Sequence, residues 1–188
     1  MKKIIISAAL ILVACIVAGC LQAQPAGTAG SSAGDGTGKT DGFRFSLRWG
    51  TYGISSYDSG SGRLVKTTDA TDPDRYVTEM HLSEKDLEYV AQALKALNIA
   101  SYPSGYDPFN APGAETMVAS EPSTTIVLSA TFDGRTATVT CPGIADLGEN
   151  DCYSEQGKNL IHTVKELIAM ITGTPEWQAL PEYEFFYE

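Results

Sequence analysis

Residues 124–141 read TTIVLSATFDGRTATVTC and contain the strongest short hairpin signal in the chain. Two runs rich in β-branched residues, 124–132 and 135–141, flank the pair Asp133-Gly134. Branched side chains favour strands, and an Asp-Gly pair suits the two left-handed positions of a two-residue hairpin turn. The stretch therefore predicts two antiparallel strands joined by a tight turn.

More strands are predicted on the N-terminal side of this hairpin. Apolar residues at positions 43, 45, 47 and 49 alternate with Arg and Ser, which is typical of a strand with one buried face. Residues 54–57 and 64–67 flank the sequence Asp-Ser-Gly-Ser-Gly, which predicts a hairpin turn between two strands. A fourth strand is predicted over residues 76–82, before the first helix.

Two amphipathic helices are predicted, one on each side of the hairpin in sequence. Ser83 and Ser154 are typical N-cap residues, and Asn98 and Gly173 end the two apolar patterns. The residues at helical spacing are Leu87, Val90, Ala91, Leu94 and Leu97 in the first helix, and Leu160, Val164, Leu167, Ile168 and Ile171 in the second.

The element order β-β-β-β-α-β-β-α predicts the α+β class. Strands joined by short turns form an antiparallel sheet, which we expect to contain five to six strands with the two helices packed on one face. Residues 43–188 have the length of one ordinary domain. We therefore expect them to form a single α+β domain.

The first nineteen residues have the layout of an export signal. Lys2 and Lys3 form a short basic head, and residues 4–17 are an apolar run interrupted only by Ser7. This run is shorter than the roughly 20 residues that cross a bilayer as a helix, and no charged stop-transfer segment follows it. A signal peptide over residues 1–19 is therefore expected, with an uncleaved membrane-spanning anchor as the alternative.

Residues 17–20, Val-Ala-Gly-Cys, resemble the lipobox of bacterial prolipoproteins. The resemblance implies a diacylglycerol thioether on Cys20, cleavage before it, and acylation of the new amino terminus. Residues 12–15, Leu-Val-Ala-Cys, fit the same pattern, but Cys20 lies at the end of the apolar run and precedes a polar stretch. Two or more acyl chains give durable attachment to a membrane, so we expect an exported protein anchored to the outer face of a cell membrane or cell envelope.

The stretch of residues 20–42 is rich in Gly, Ala, Ser and Thr and is expected to be a flexible tether behind the lipidated Cys20. Cleavage before Cys20 removes Lys2 and Lys3 and no acid, which changes the formal charge from −10 to −12. An acidic protein is repelled by phosphate backbones. Nucleic acid is therefore not an expected partner.

Cys141 and Cys152 remain after the signal and the lipidated cysteine are set aside. Disulfides form and persist in oxidising extracellular compartments, so a disulfide between these two residues is predicted, closing a loop of twelve residues. Two buried free thiols are the alternative. The acidic stretch 146–151 within the loop could supply oxygen ligands for calcium, but it lacks EF-hand spacing, and no metal site or cofactor is predicted.

Patterns that suggest catalysis are weak in this chain. Residues 33–40 resemble a P-loop and residues 30–34 match a nucleophile-elbow pattern, but both lie in the tether, where no strand and helix would frame them. His81 and His162 are isolated and have no nucleophile pattern nearby. No zinc-type spacing of His or Cys is present, and we do not expect an enzyme.

Aromatic residues cluster in a loop and at the C-terminus. They are candidate contacts for a partner, because Trp and Tyr are effective anchors at interfaces. For the C-terminal tail, the favoured interpretation is that it packs back over the core, as an edge strand, because large exposed apolar patches are rare on monomers. The candidate partner-surface residues are Tyr102, Tyr106, Phe109, Trp177, Tyr183 and Phe186.

The expected function is a surface-displayed binding or interaction module on a cell-envelope lipoprotein. Its partner would be an envelope or extracellular protein or a glycan, in addition to the membrane that holds the anchor. The alternative is a small hydrolase or inhibitor domain with a site on the loop 101–122. That alternative requires a concave pocket with a histidine beside a carboxylate.

Overall fold

The computed structural model describes residues 42–109, 122–144 and 153–183. Within these ranges the chain forms a six-stranded sheet in which every neighbouring pair is antiparallel. The α+β class and the antiparallel sheet predicted from the sequence are confirmed. The expected signal peptide, the expected tether, Cys20 and Cys152 lie outside the described residues, and what the sequence indicates about them stays a prediction.

The sheet has the strand order β4-β3-β2-β1-β5-β6. The strands are β1 Arg44–Trp49, β2 Ser55–Asp58, β3 Arg63–Val65, β4 Val77–Glu79, β5 Thr124–Phe132 and β6 Arg135–Ile144. The helices are α1 Glu84–Leu97, α2 Glu155–Thr172 and α3 Pro175–Ala179, and two 3-10 turns span Pro73–Tyr76 and Ile99–Ser101. None of the helices in these ranges combines the length and the hydrophobicity that crossing a bilayer requires.

Two elements differ from the sequence prediction. The strand predicted over residues 76–82 is reduced to Val77–Glu79, because the 3-10 turn Pro73–Tyr76 precedes it and Ser83 already caps α1. The second difference is α3, in which Thr174 accepts a hydrogen bond from the backbone N–H of Trp177 and Pro175 occupies the first turn. Proline is well suited to that position because its missing N–H has no partner in a helix.

One face of the sheet is apolar and contacts the helices. In β1 the side chains of Phe45, Leu47 and Trp49 are buried, whereas those of Arg44 and Arg48 are exposed. The buried residues of β5, β6, α1 and α2 belong to the same core cluster. The apolar residues that the strand and helix patterns of the sequence predicted to be buried therefore belong to one core.

The opposite face of the sheet is polar. On the β5–β6 pair, Ser129 bonds to Thr138 and Thr131 to Thr136, each with 2.8 Å between the hydroxyl oxygens. Such side-chain pairs meet most closely at the non-hydrogen-bonded positions of an antiparallel ladder. Alternate residues of β5 and β6 therefore separate cleanly into a core side and a hydroxyl-bearing side.

The turn between β5 and β6 uses the left-handed backbone conformations that the sequence predicts. Asp133 has φ 49° and Gly134 has φ 76°, as a type I′ turn requires. Phe132 is paired with Arg135 immediately beside this turn. The turn thereby sets the register of the hairpin as far as the pair Ile126–Cys141, beyond which an irregularity shifts the pairing.

Replacing Gly134 by Ala should destabilise the protein by about 1 kcal/mol, because a Cβ is unfavourable at positive φ. The matched control is Gly105→Ala. Gly105 has no positive φ, and a Cβ built there meets nothing within 4 Å, so this change should leave stability equal or slightly higher. Urea unfolding of the two variants measures the difference, and equal losses would contradict the turn assignment.

Candidate functional site

The loop that was predicted as a contact surface is fixed to the core at Tyr102. This side chain is only 8% exposed, and its hydroxyl donates to the carbonyl oxygen of Gln156 at 3.0 Å. Its ring meets the ring of Tyr106 edge-on, with 5.0 Å between the centroids. Tyr102 is thus a core residue in this structure and offers little area to a partner.

The rest of the loop is held by the start of α2. The hydroxyl of Tyr106 lies 3.0 Å from that of Ser154, and the backbone N–H of Ser154 donates to the carbonyl of Pro108 at 2.9 Å. Phe109 packs on Tyr153 with 4.6 Å between ring centroids. Tyr106 and Phe109 are half-buried in this arrangement, so their main role is to pack the loop against the start of α2.

Gly157 permits the close approach of the loop backbone at Pro108 to the first turn of α2. A Cβ at this position would clash with the backbone carbonyl oxygen of Pro108. The N–H of Gly157 also donates to the Ser154 hydroxyl at 2.9 Å, which caps α2. The same helix terminus therefore provides both a cap and a surface against which the loop packs.

Cys141 lies beneath this loop on the core side of β6. It is fully buried and is a free cysteine among the described residues. Burial raises the pKa of the Cys141 thiol to about 12, and the negative charge of Asp107 adds to the effect. A thiol with this pKa is protonated at neutral pH and is a poor nucleophile. Because Cys152 lies outside the described residues, the Cys141–Cys152 disulfide stays a prediction.

The C-terminal segment packs back on the core, as a short helix and not as an edge strand. Trp177 of α3 is half-buried against Trp49, with 5.6 Å between ring centroids. The Nζ of Lys66 lies 5.6 Å from the centroid of the Trp177 ring and donates to the carbonyl of Leu180 at 3.4 Å. The Lys66 ammonium therefore ties the segment to the sheet by a cation–π contact and a hydrogen bond.

The last described residue, Tyr183, is also in contact with the domain. Its hydroxyl donates to the backbone carbonyl of Asp69, and its ring meets that of Tyr76 edge-on at 5.5 Å. Phe186 lies outside the described residues. Of the six predicted partner-surface residues, the five that are described are all engaged in contacts within the chain.

The two histidines lie apart on the exposed surface. His81 pairs with Glu79 at 2.7 Å and His162 pairs with Glu166 at 3.4 Å. The described ranges contain no group of three or more His, Cys, Asp or Glu residues that could hold a metal ion. The acidic stretch 146–151 lies outside these ranges.

A cavity of about 620 Å³ lies between the C-terminal end of α1 and the tip of the β5–β6 hairpin. We call it the hairpin groove. It is lined by Leu94, Lys95, Asn98, Ile99, Ala100, Ala130, Phe132, Asp133, Arg135, Thr136 and Ala137.

Small side chains on the sheet and an early helix end create the hairpin groove. Ala130 and Ala137 are paired across the two strands, where larger residues would have filled the space against the helices. On the other wall, α1 stops at Leu97, and Asn98 takes a left-handed conformation with φ 53°. The chain therefore turns away before the helix covers the hairpin tip.

The groove borders the outer strand of the sheet, against which the turn Ile99–Ser101 also packs. β6 is an outer strand of the sheet, and on its outer side Thr140 exchanges backbone hydrogen bonds with Ser104 and Tyr106. Residues two apart in a strand direct their backbone groups the same way, so the N–H and C=O of Thr136 and Thr138 also point outward. Along the described part of the chain, neither of these two residues has a backbone partner on that side.

A second cavity of about 510 Å³ lies beside the C-terminal segment, with Asp69, Arg75 and Tyr183 among its lining residues. Neither this cavity nor the hairpin groove is lined by a histidine. The arrangement required by the hydrolase alternative is thus not met at either cavity. Of the predicted loop site 101–122, the structure describes 101–109, which pack as above, and residue 122.

The hairpin groove was not predicted from the sequence. Its only local sign is the pair of alanines at 130 and 137, which interrupts strands whose other core positions carry larger side chains. A scan of protein-family models and a search of curated proteins both give no match to this chain. Function must therefore be inferred from the chain's own residues.

Replacing Tyr102 by Phe should lower stability at neutral pH by about 1 kcal/mol, because the hydrogen bond to Gln156 is lost. Tyr89→Phe is the control, since its hydroxyl contacts Glu166 on the exposed surface and should contribute less. Urea unfolding followed by circular dichroism measures both changes.

The same variant should also change the pH dependence of unfolding. Burial raises the pKa of Tyr102 from 10.0 to about 12, with Tyr106 and Cys141 contributing. The unfolded chain therefore releases this proton first, and stability present below pH 10.0 is lost as the pH rises towards about 12. The loss should be shallower in Tyr102→Phe, and parallel curves for the variant and the parent would contradict the burial of Tyr102.

Proposed function

We propose that this protein is an exported lipoprotein of the cell envelope whose folded domain is a binding module. The anchor is proposed from the basic head, the apolar run and the sequence Val-Ala-Gly-Cys at residues 17–20. The binding role is supported by one observation above all, the hairpin groove beside outward backbone groups of β6. A protein partner is favoured over a glycan, because outward backbone groups on a strand recognise another backbone.

The charge of the chain fits this placement. Its formal net charge of −10 favours solubility and discourages collapse of the domain onto anionic lipid head groups. The residues between Cys20 and the first strand are rich in small polar residues. A chain of this composition would allow the domain to stand away from the lipid and reach its partner.

The anchor can be tested at Cys20. Mass spectrometry of the protein isolated from membranes should find the mature chain beginning at Cys20 with acyl groups attached. Cys20→Ser should abolish the lipid mass and release the protein from membranes, whereas Cys15→Ser should change neither. An unmodified thiol at Cys20, or a leader still attached, would contradict the proposed anchor.

The binding role can be tested by site-specific photo-crosslinking in intact cells. A photoreactive amino acid at Ala100, an exposed residue of the hairpin groove, should give a reproducible adduct with one protein. The matched control is the same amino acid at Lys165, which is exposed on α2 and should give none. Absence of any adduct at Ala100, under conditions in which the probe reacts with free peptide, would contradict a protein-binding module acting through this groove.

A further inference from the structure

We infer that the hairpin groove takes residues 184–188 of a second copy of this chain, with the side chain of Phe186 inserted between α1 and the β5–β6 tip. This inference rests on the proposed binding function and names another copy as the protein partner. Three observations support it: the walls of the groove, the charges at its rim, and the distance between the groove and the C-terminal segment of the same copy.

The walls of the groove leave room for a side chain that enters from outside. The chain itself already pairs with β6 at Thr140, through Ser104, and the turn Ile99–Ser101 packs along the strand. That turn forms part of the lining, together with the Ala130–Ala137 pair. The enclosed volume of about 620 Å³ can hold an aromatic ring. The inferred contact therefore uses the cavity and requires no strand pairing.

The segment 184–188, Glu-Phe-Phe-Tyr-Glu, has the chemistry that this pocket requires. It lies outside the described residues and contains Phe186, one of the predicted partner-surface residues. In an extended segment, residues two apart face the same way, so Phe186 would share one side with Glu184 and Glu188. Insertion of the Phe186 ring would remove a large apolar surface from water, which favours association.

The charges at the rim of the groove complement the two glutamates of the segment. Lys95 and Arg135 line the groove, and Asp133 is the one carboxylate among its lining residues. The Nζ of Lys95 lies 5.4 Å from the centroid of the Phe132 ring, at the apolar part of the lining. The chain as a whole has a formal net charge of −10. A locally cationic rim on an acidic protein therefore favours a segment that carries carboxylates.

The groove lies too far from Tyr183 to receive the segment of the same copy. The ring of Tyr183 contacts Tyr76, the residue before β4. The strand register leads from Val77 to a position on β5 that is three residues from Ala130. These two points are about 19 Å apart across four strands and about 10 Å apart along them, or about 21 Å in total. The three residues from Tyr183 to Phe186 span at most about 11 Å, so a second copy must supply the ring.

The symmetry of the contact allows a closed assembly. Each copy carries both the segment and the groove, so two copies can exchange their segments and form a dimer. The proposed lipid anchor would hold the copies on one membrane surface, where their effective concentration is high. A contact through one ring and two ion pairs per copy is then sufficient for association.

Photo-crosslinking between isotopically distinct copies tests the contact directly. A photoreactive phenylalanine analogue replaces Phe186 in an equal mixture of ¹⁵N-labelled and unlabelled full chains. Mass spectrometry should find the analogue linked to residues 98–100 or 133–137, with labelled peptides joined to unlabelled ones. The same analogue at Tyr52, which is 57% exposed and does not line the groove, is the matched control and should give no such link. Groove links that join only peptides of one isotope would place the segment in its own copy and overturn the inference.

A charge exchange tests the rim of the groove. The capped peptide Glu-Phe-Phe-Tyr-Glu is titrated into the full chain carrying Phe186→Ala, and amide chemical shifts at Ala130 and Ala137 report binding. The counterpart Lys-Phe-Phe-Tyr-Lys should bind about fivefold or more weakly. Arg135→Glu should cancel this preference, whereas Arg63→Glu, exposed on β3 and outside the groove, should keep it. An unchanged preference in Arg135→Glu would contradict the inferred ion pairs.

Two variants that fail alone should associate when they are mixed. Phe186→Ala removes the inserted ring and Ala137→Leu fills the groove, so each should weaken self-association in analytical ultracentrifugation by about tenfold or more. In the mixture, the segment of the Ala137→Leu copy meets the intact groove of the Phe186→Ala copy, and association should return in part. Phe185→Ala is the matched control and should associate like the parent. If Ala137→Leu does not fold, Arg135→Glu takes its place; absence of recovery in the mixture would overturn the inference.

The remaining outcomes separate this inference from the proposed function. An adduct at Ala100 with a different protein, without any link from Phe186 to a second copy, would overturn the inference and leave the proposed function in place. Peptide shifts confined to another surface, or none at millimolar peptide, would also overturn it. Association of purified copies through the groove, without an adduct at Ala100 in cells, would instead count against the proposed function alone.

Discussion

Two main helices pack on one face of a six-stranded sheet, and their combined width is smaller than that of the sheet. Packed helices lie about 8–10 Å apart, so two of them cover about 20 Å from edge to edge. Six strands spaced by about 4.8 Å cover about 29 Å on the same measure. A margin of the apolar face must therefore be filled by other means. At the β5–β6 margin, Ala130 and Ala137 leave the hairpin groove, and the early end of α1 keeps it open.

Other parts of the apolar face are covered by segments without long secondary structure. Tyr102 and Tyr106 bring the loop after α1 onto the start of α2, and Trp177 brings the C-terminal segment onto Trp49. Tyr and Trp suit this role because each combines a large apolar ring with one polar group that finds a partner. Those of the aromatic residues suggesting a partner surface that the structure describes thus pack within the domain, and the hairpin groove lies where the aromatic cover ends.

The sequence predicts the local elements well because their signals are local. Asp133-Gly134 defines the hairpin turn. Ser83 and Ser154 each cap a helix by accepting a hydrogen bond from the backbone N–H three residues later. The placement of Tyr102 could not be predicted in the same way, since its hydrogen-bond acceptor, Gln156, is 54 residues distant in the chain. A tyrosine in a Pro- and Gly-containing loop has the same local pattern whether it contacts solvent or the core. The groove was missed for the same reason, because it depends on where α1 ends relative to a hairpin much later in the sequence.

The proposed binding role depends on the hairpin groove, and the outer side of β6 next to it, being uncovered before any partner arrives. Hydrogen exchange of individual backbone amides in the full chain tests this most directly. The amides of Ala137 and Val139, which face β5, and of Thr140, which pairs with Ser104, should exchange slowly, while those of Thr136 and Thr138 exchange quickly. Uniformly slow exchange along residues 136–140 would mean that the edge is already covered and would contradict the account.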